Sequence, residues 1–187
     1  MINLEKGQKI ELTKENPALK KLLVGLGWDV NANSGAAFDL DASAIMLNAE
    51  GKVADQKNVI YYGNKVGTGI KHTGDNLTGA GDGDDEQILV DLDAIPSDVE
   101  KVVFTVNIYQ ATSRRQNFGM VSNAFIRVAN NETNEEVCKY DLGEDYSTEK
   151  TVKVAEIYRH NGEWKFAALG TGFAGEFGDL LKEYGVN

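Results

Sequence analysis

The sequence predicts a mainly β protein, an antiparallel sandwich or barrel. Three observations point there. Short runs alternating between apolar and polar residues recur along the chain. The 20 glycines against only 2 prolines suit many tight turns between such runs. The regular strand–helix alternation of a parallel α/β fold is missing.

Taken in order, "INLEKGQKIEL" holds two short alternating runs around a Gly turn. "ALKKLLVGLGWD" (18–29) is ambiguous: Leu19, Leu22, Leu23 and Leu26 have helical spacing, yet Gly25 and Gly27 each weaken a helix by about 1 kcal/mol relative to Ala. "AFDLDASAIMLN" (37–48) reads as a longer strand closed by a turn at "AEGK", and "NVIYY" follows. Residues 63–86 show no apolar periodicity and read as one long loop, which in a compact domain is usually functional or disordered. "QILVDL", then "KVVFTVNIY" (101–109), "MVSNAFIRV" (120–128) and "VCKYDL" (137–142) are further strands. "TVKVAEIYRHNGEWKFAAL" (151–169) is the clearest hairpin, two alternating arms around "HNG". "GEFGDLLKEYG" (175–185) reads as a short terminal helix ending at Gly185. No linker or repeat divides the chain, so 1–187 is read as one domain.

Composition narrows the function. A formal charge of −10 argues against nucleic acid or an anionic bilayer as a direct partner, since both need cationic patches. The longest unbroken apolar run, 22–28, is too short to span a membrane. The N-terminus lacks the apolar core of a secretory signal, and one cysteine, Cys138, permits no internal disulfide. An intracellular, reducing location is the natural reading. Cys138 shares a face with Tyr140 in an alternating run and reads as a small buried apolar residue. No serine-nucleophile motif is present, and two histidines with one cysteine make no ordinary zinc site.

The stretch "HTGDNLTGAGDGDDE" (72–86) carries the functional question. Its acids could form a solvated face, at little cost. Two like charges about 6 Å apart repel by roughly 0.7 kcal/mol in water but by roughly 3 kcal/mol at an effective dielectric near 20. A converged cluster therefore needs a cation. Carboxylates, an Asn and backbone carbonyls on a Gly-rich loop suit Ca²⁺, which accepts 6–8 oxygens at variable angles. Asp39 and Asp41 share one face of their strand, and that face turns apolar at Ile45 and Leu47, which places the two acids at a rim. Asp29 in "GWD" is a third source from a separate segment. The loop is neither an EF-hand nor a P-loop: Gln87 occupies the position that needs Gly, and the P-loop Lys is missing. His72 borders the loop within reach of it, and Arg114 and Arg115 either face solvent or pair with the acids or a partner's carboxylates. His160, in a hairpin turn, and Trp28 and Trp164 read as structural.

"GLGWD", "FDLDASA", "HTGDNLTGAGDGDDEQILVDL", "RRQNFG", "AFIRV", "YDLGEDYS" and "GEWKFAALGTGF", in that order, resemble the TerD family of bacterial tellurium-resistance and general stress proteins. The likeness runs from about residue 20 to the C-terminus, with Ala80 standing where the family pattern has Glu. It implies an antiparallel β-sandwich with a long acidic metal-binding loop, two Ca²⁺ ions and no established catalytic activity. It makes "KKLLVGLGW" a strand. It implies metal ligation by Asp29, Asp39, Asp41, Asp75, Asn76, Asp82, Asp84, Asp85 and Glu86, with the carbonyls of Gly81 or Gly83, and adds Asp141, Glu144 and Asp145 as a second tier. It also implies a cytoplasmic role in tellurite and stress resistance, alongside other tellurium-resistance proteins at the inner face of the membrane. Two other readings of the acids compete with this one. One is a Mg²⁺- or Mn²⁺-dependent hydrolase; the other is a binder of an anionic metabolite, such as a nucleotide, through bridging metal.

Overall fold

Two β-sheets face each other across one apolar core. The structure is a computed structural model, and it describes residues 1–29, 37–74, 83–142 and 146–186. The strands are β1 (Ile2–Leu4), β2 (Lys9–Glu11), β3 (Lys21–Gly27), β4 (Leu40–Leu47), β5 (Val59–Ile60), β6 (Val66–Gly67), β7 (Ile70–His72), β8 (Glu86–Asp91), β9 (Lys101–Ile108), β10 (Phe125–Asn130), β11 (Glu136–Asp141), β12 (Thr151–His160) and β13 (Glu163–Phe173). Helix α1 (Ala111–Arg114) is one turn, and α2 (Phe177–Glu183) closes the chain. The first sheet runs β1-β11-β10-β3-β8-β7-β6 and the second β2-β13-β12-β9-β4-β5. Every pairing among them is antiparallel except β1 with β11.

Alternation decides which residues meet. Leu22, Val24 and Leu26 of β3 face inward with Ile88 and Val90 of β8, against Ala42 and Ala44 of β4 and Phe104 of β9. The opposite face of β4 carries Ile45 and Leu47, and with Val103 and Val59 these seat the apolar side of α2, Phe177, Leu181 and Tyr184. The expected sandwich and terminal helix are therefore present, and the ambiguous 18–29 segment is a strand.

The two N-terminal runs are both strands, and they enter different sheets, β1 the first and β2 the second. Some expectations fail. Residues 63–86 are not all loop, because Val66–Gly67 and Ile70–His72 form a tight hairpin around Gly69, whose φ of +77° favours glycine. The strand expected over 120–128 begins only at Phe125, since Phe118–Met120 close a 3₁₀ turn.

Candidate metal centre

The C-terminal end of β3 and the N-terminal ends of β4 and β8 lie at one end of the sandwich. Glu86 ties the last two together, accepting the Ala42 N–H at 2.7 Å. Most of the expected ligands that the structure describes sit here.

Asp84, Asp85 and Glu86 are consecutive and point three ways. Asp84 lies on the outer face of the first sheet. Arg127 grips both its oxygens, Nε to Oδ1 at 2.6 Å and Nη2 to Oδ2 at 2.7 Å, and Gln87 Nε2 donates to Oδ2 at 2.9 Å. Register explains the grip, because Arg127, Gly25 and Gln87 stand side by side on β10, β3 and β8. The carboxylate lies directly on Gly25, where a Cβ would come within 2.3 Å of it. The Asp84 side chain is almost fully buried, and its hydrogen bonds hold the Arg127 proton more firmly than usual.

Asp85 stays at the rim. Its N–H donates to the Leu26 carbonyl at 2.7 Å, and its Oδ2 accepts the Trp28 N–H at 2.9 Å. Burial pushes its carboxyl above the ordinary range, and the neighbouring Asp84 and Asp29 charges add to that against the opposing Trp28 N–H. Glu86, the first residue of β8, turns inward like Ile88. Its Oε2 lies 3.2 Å from His72 Nε2, with both side chains fully shielded from solvent. His72, which the sequence placed only at the border of the acidic stretch, thus contacts it by way of Glu86.

The other acids come from β3 and β4. Asp29 follows β3, is exposed, donates its N–H to Ser122 O and accepts from Asn123 Nδ2 at 2.6 Å. Asp39 precedes β4, where Arg114 Nη2 stands 3.6 Å from its Oδ2, as the pairing reading of Arg114 requires. Arg115, by contrast, is exposed and ends α1 in the left-handed region, φ +54°. Asp41 lies within β4, opposite Asn107 of β9, whose Nδ2 donates to Asp41 Oδ2 at 3.1 Å. Both acids of β4 belong to the outer face of the second sheet.

The described carboxylates therefore fall into two groups, Asp29 with Asp85 and Asp39 with Asp41. Among the described residues no three His, Cys, Asp or Glu side chains gather closely enough to hold an ion. Asp75, Asn76, Ala80, Gly81, Asp82, Glu144 and Asp145 lie outside the described residues. Gly83 is described, in the left-handed region at φ +96°, with its carbonyl packed against Gly27. Asp141 is exposed and pairs with Lys139 at 2.9 Å. The donors that are present fit a hard cation, since they are all oxygen. The Asn107 Oδ1 beside Asp41 is buried and finds no hydrogen-bond partner among the described residues, and Asp85 sits where positive charge would relieve it.

Sequence reasoning missed Arg127. The available signal was an arginine alternating with Ile126 and Val128 on a strand near a glycine-bearing one, an outward cation with room beside it. Cys138 is buried as expected, and burial pushes its thiol up to about 12.

Fold and rim together define a class: a two-sheet sandwich with an acidic, oxygen-rich end. The TerD domain model matches residues 1–184. The chain is 50% identical over 188 residues to general stress protein 16U of Bacillus subtilis (strain 168), covering 99% of this chain and 97% of that protein. It is also 50% identical over 188 residues to tellurium resistance protein TerD of Serratia marcescens, covering 100% and 98%. A homologue of telluride resistance protein (TerD) from Streptomyces coelicolor A3(2) has the same fold, with TM-score 0.74, 24% identity, and 90% and 98% of the two chains covered. The chain belongs to the TerD family. None of these relatives carries an enzyme's name, and among the described residues no helix is long and apolar enough to cross a membrane.

Proposed function

We propose that this protein is a Ca²⁺-binding, non-enzymatic module of the stress and tellurite response. The names of its half-identical relatives support the response. The observation that carries the metal is the placement of Asp29, Asp85, Asp39 and Asp41, from three separate segments, at the one end from which the stretch with Asp75, Asn76 and Asp82 also departs. A mixed oxygen set on a glycine-rich backbone favours Ca²⁺ over Mg²⁺, which keeps more of its water. Asp84 serves this site as an anchor through Arg127, and Glu86 as an inner brace, while the rim acids and the loop face the ions, two in number. The loaded end then presents an ordered surface to other tellurium-resistance proteins, in the cytoplasm at the inner face of the membrane.

Calorimetric titration with Ca²⁺, paired with thermal melts in Ca²⁺ and in chelator, tests this reading. At about 100 Kd of ligand the folded state gains about 2.7 kcal/mol. For a chain of this size that raises Tm by roughly 5–10 °C. Absence of heat together with coincident melts overturns it.

A further inference from the structure

The end of the sandwich away from the acids holds a positive charge that no described carboxylate answers. In the β3–β8 pairing, Leu26 and Glu86 meet at the acidic end, and Lys21 and Asp91 at the other. At that other end Arg159 of β12 stands opposite Trp164 of β13, and its guanidinium lies over the Trp164 ring, 4.4 Å from the centroid. Its Nε donates to the Val99 carbonyl at 3.0 Å, and its Nη2 to the Ile95 and Pro96 carbonyls at 3.2 and 3.3 Å. Among the described residues Nη1 donates to nothing, and no carboxylate pairs with this arginine. Elsewhere in this chain of formal charge −10, cations find acids: Lys20, Lys21, Lys101 and Lys165 are all paired. The unpaired guanidinium lines a cleft of about 460 Å³ between the β8–β9 connection, the segment before β3 and the β12–β13 turn. Its apolar walls are Trp164, Leu92 and Ile95, each exposed by 5% or less. Apolar walls around a few fixed polar groups are the usual makeup of a small-molecule site. Two acids also line the cleft, and both are engaged: Glu163 accepts the Thr13 hydroxyl, and Asp93 accepts from Lys20 Nζ at 3.1 Å.

We propose that this cleft binds a small organic acid, its carboxylate on Arg159 Nη1 and its apolar body against Trp164, Leu92 and Ile95. Charge selects the ligand. One free guanidinium between two acids accommodates a single negative charge, whereas a doubly charged phosphate would also meet Asp93 and Glu163. The arginine is held in advance, by three backbone carbonyls and an indole face, so binding costs little side-chain freedom. Lys20 serves the site indirectly, by holding the Asp93 charge at the mouth. The cleft lies at the opposite end from the acids and works without the ions of the rim.

The test is titration of the isotope-labelled full chain with benzoate, followed by two-dimensional NMR, in Ca²⁺ and in chelator. Benzoate should shift the Trp164 indole and Arg159 side-chain N–H signals saturably, with a Kd of about 1–10 mM in both conditions. Benzamide, of the same shape without the charge, should bind about tenfold more weakly, and phenyl phosphate as its dianion about threefold more weakly. Arg159→Lys keeps the charge but loses the fork, and should weaken benzoate about fivefold. Ser97→Tyr, at an exposed position on the cleft, should block benzoate with an unchanged melt, and it carries the test if Arg159→Lys folds poorly. Absence of a saturable shift at about 50 mM benzoate, or equal binding of benzamide, overturns the proposal. So does a benzoate affinity within about twofold of wild type in the folded variants. Tighter binding of phenyl phosphate overturns the carboxylate assignment. Shifts that need Ca²⁺ and fall on Asp29 and Asp85 would make benzoate a ligand of the rim ions, and overturn it as well.

Discussion

Two acidic stretches of this chain look alike on paper and behave differently in space. In Asp84-Asp85-Glu86 the acids are adjacent, and each takes its own direction: outward to Arg127, along the rim to the Trp28 N–H, inward to the Ala42 N–H and His72. In "FDLDAS" the acids are two apart and share one face of the second sheet, next to Asn107. Asp39 and Asp41 lie on extended chain entering β4, whose period of two gathers them, whereas Asp84 and Asp85 precede β8, so alternation does not order them and Asp84 and Glu86, also two apart, point opposite ways. Acid density in sequence is therefore a poor measure of a cation site, and the position of the acids relative to the strand is a better one.

The strongest way to break this comparison is to attack the outward acid. Arg127→Ala leaves Asp84 buried without its cation and should cost about 3 kcal/mol or more. That corresponds to a Tm lower by roughly 6–12 °C in chelator. Gly25→Ala should destabilise by the same route, because its Cβ would occupy the place of the carboxylate. A loss below about 1 kcal/mol for Arg127→Ala would reduce the anchor to an ordinary surface pair. Next is the inward acid. Glu86→Leu strips an acceptor from the buried Ala42 N–H and from His72, and should cost about 1–3 kcal/mol, read as a shifted urea midpoint at unchanged slope. An unshifted midpoint would mean that water answers both groups.

The smallest effect sharpens the contrast at the rim. Because the Asp85 carboxyl is raised in the folded state, its proton is held more tightly there than in the unfolded chain. Its contribution is fully favourable below the unfolded value and is lost as pH rises through the raised folded value, so at neutral pH the ionised group opposes folding. Asp85→Asn should then stabilise the chelated protein, by under about 1 kcal/mol because solvent screens the site, while diminishing the gain from Ca²⁺. A destabilised Asp85→Asn in chelator would show that the Trp28 contact outweighs the repulsion.

Much of the fold was legible where local chemistry dictates it. The β12–β13 hairpin announces itself through alternating arms and His-Asn-Gly, and Asn161 and Gly162 indeed take φ of +52° and +80°. β3 was not legible from pattern alone. Gly25 and Gly27 look like helix breakers or strand defects until Asp84 and Phe125 are seen filling the space above them. The β6–β7 hairpin is too short to show a period. At the rim, the acids and their end of the sandwich could be read, while the contacts of Arg114 and His72 with them stayed open until the fold was seen. Arg127 could not, because its partnership with Asp84 depends on the register of three strands far apart in sequence.

The placement of β1 and β2 in different sheets has a consequence for how the molecule is made. Ile2–Leu4 pair with Cys138–Tyr140, and Lys9–Glu11 with Lys165–Ala167. β1 and β2 thus emerge from the ribosome well before the strands on which they dock. Until they dock, the edges of β11 and β13 are bare, and a bare edge invites pairing with a neighbouring chain. Residues 2–11 act as a latch thrown across both sheets at once, so a nascent chain stays open to wrong partners until β13 has emerged.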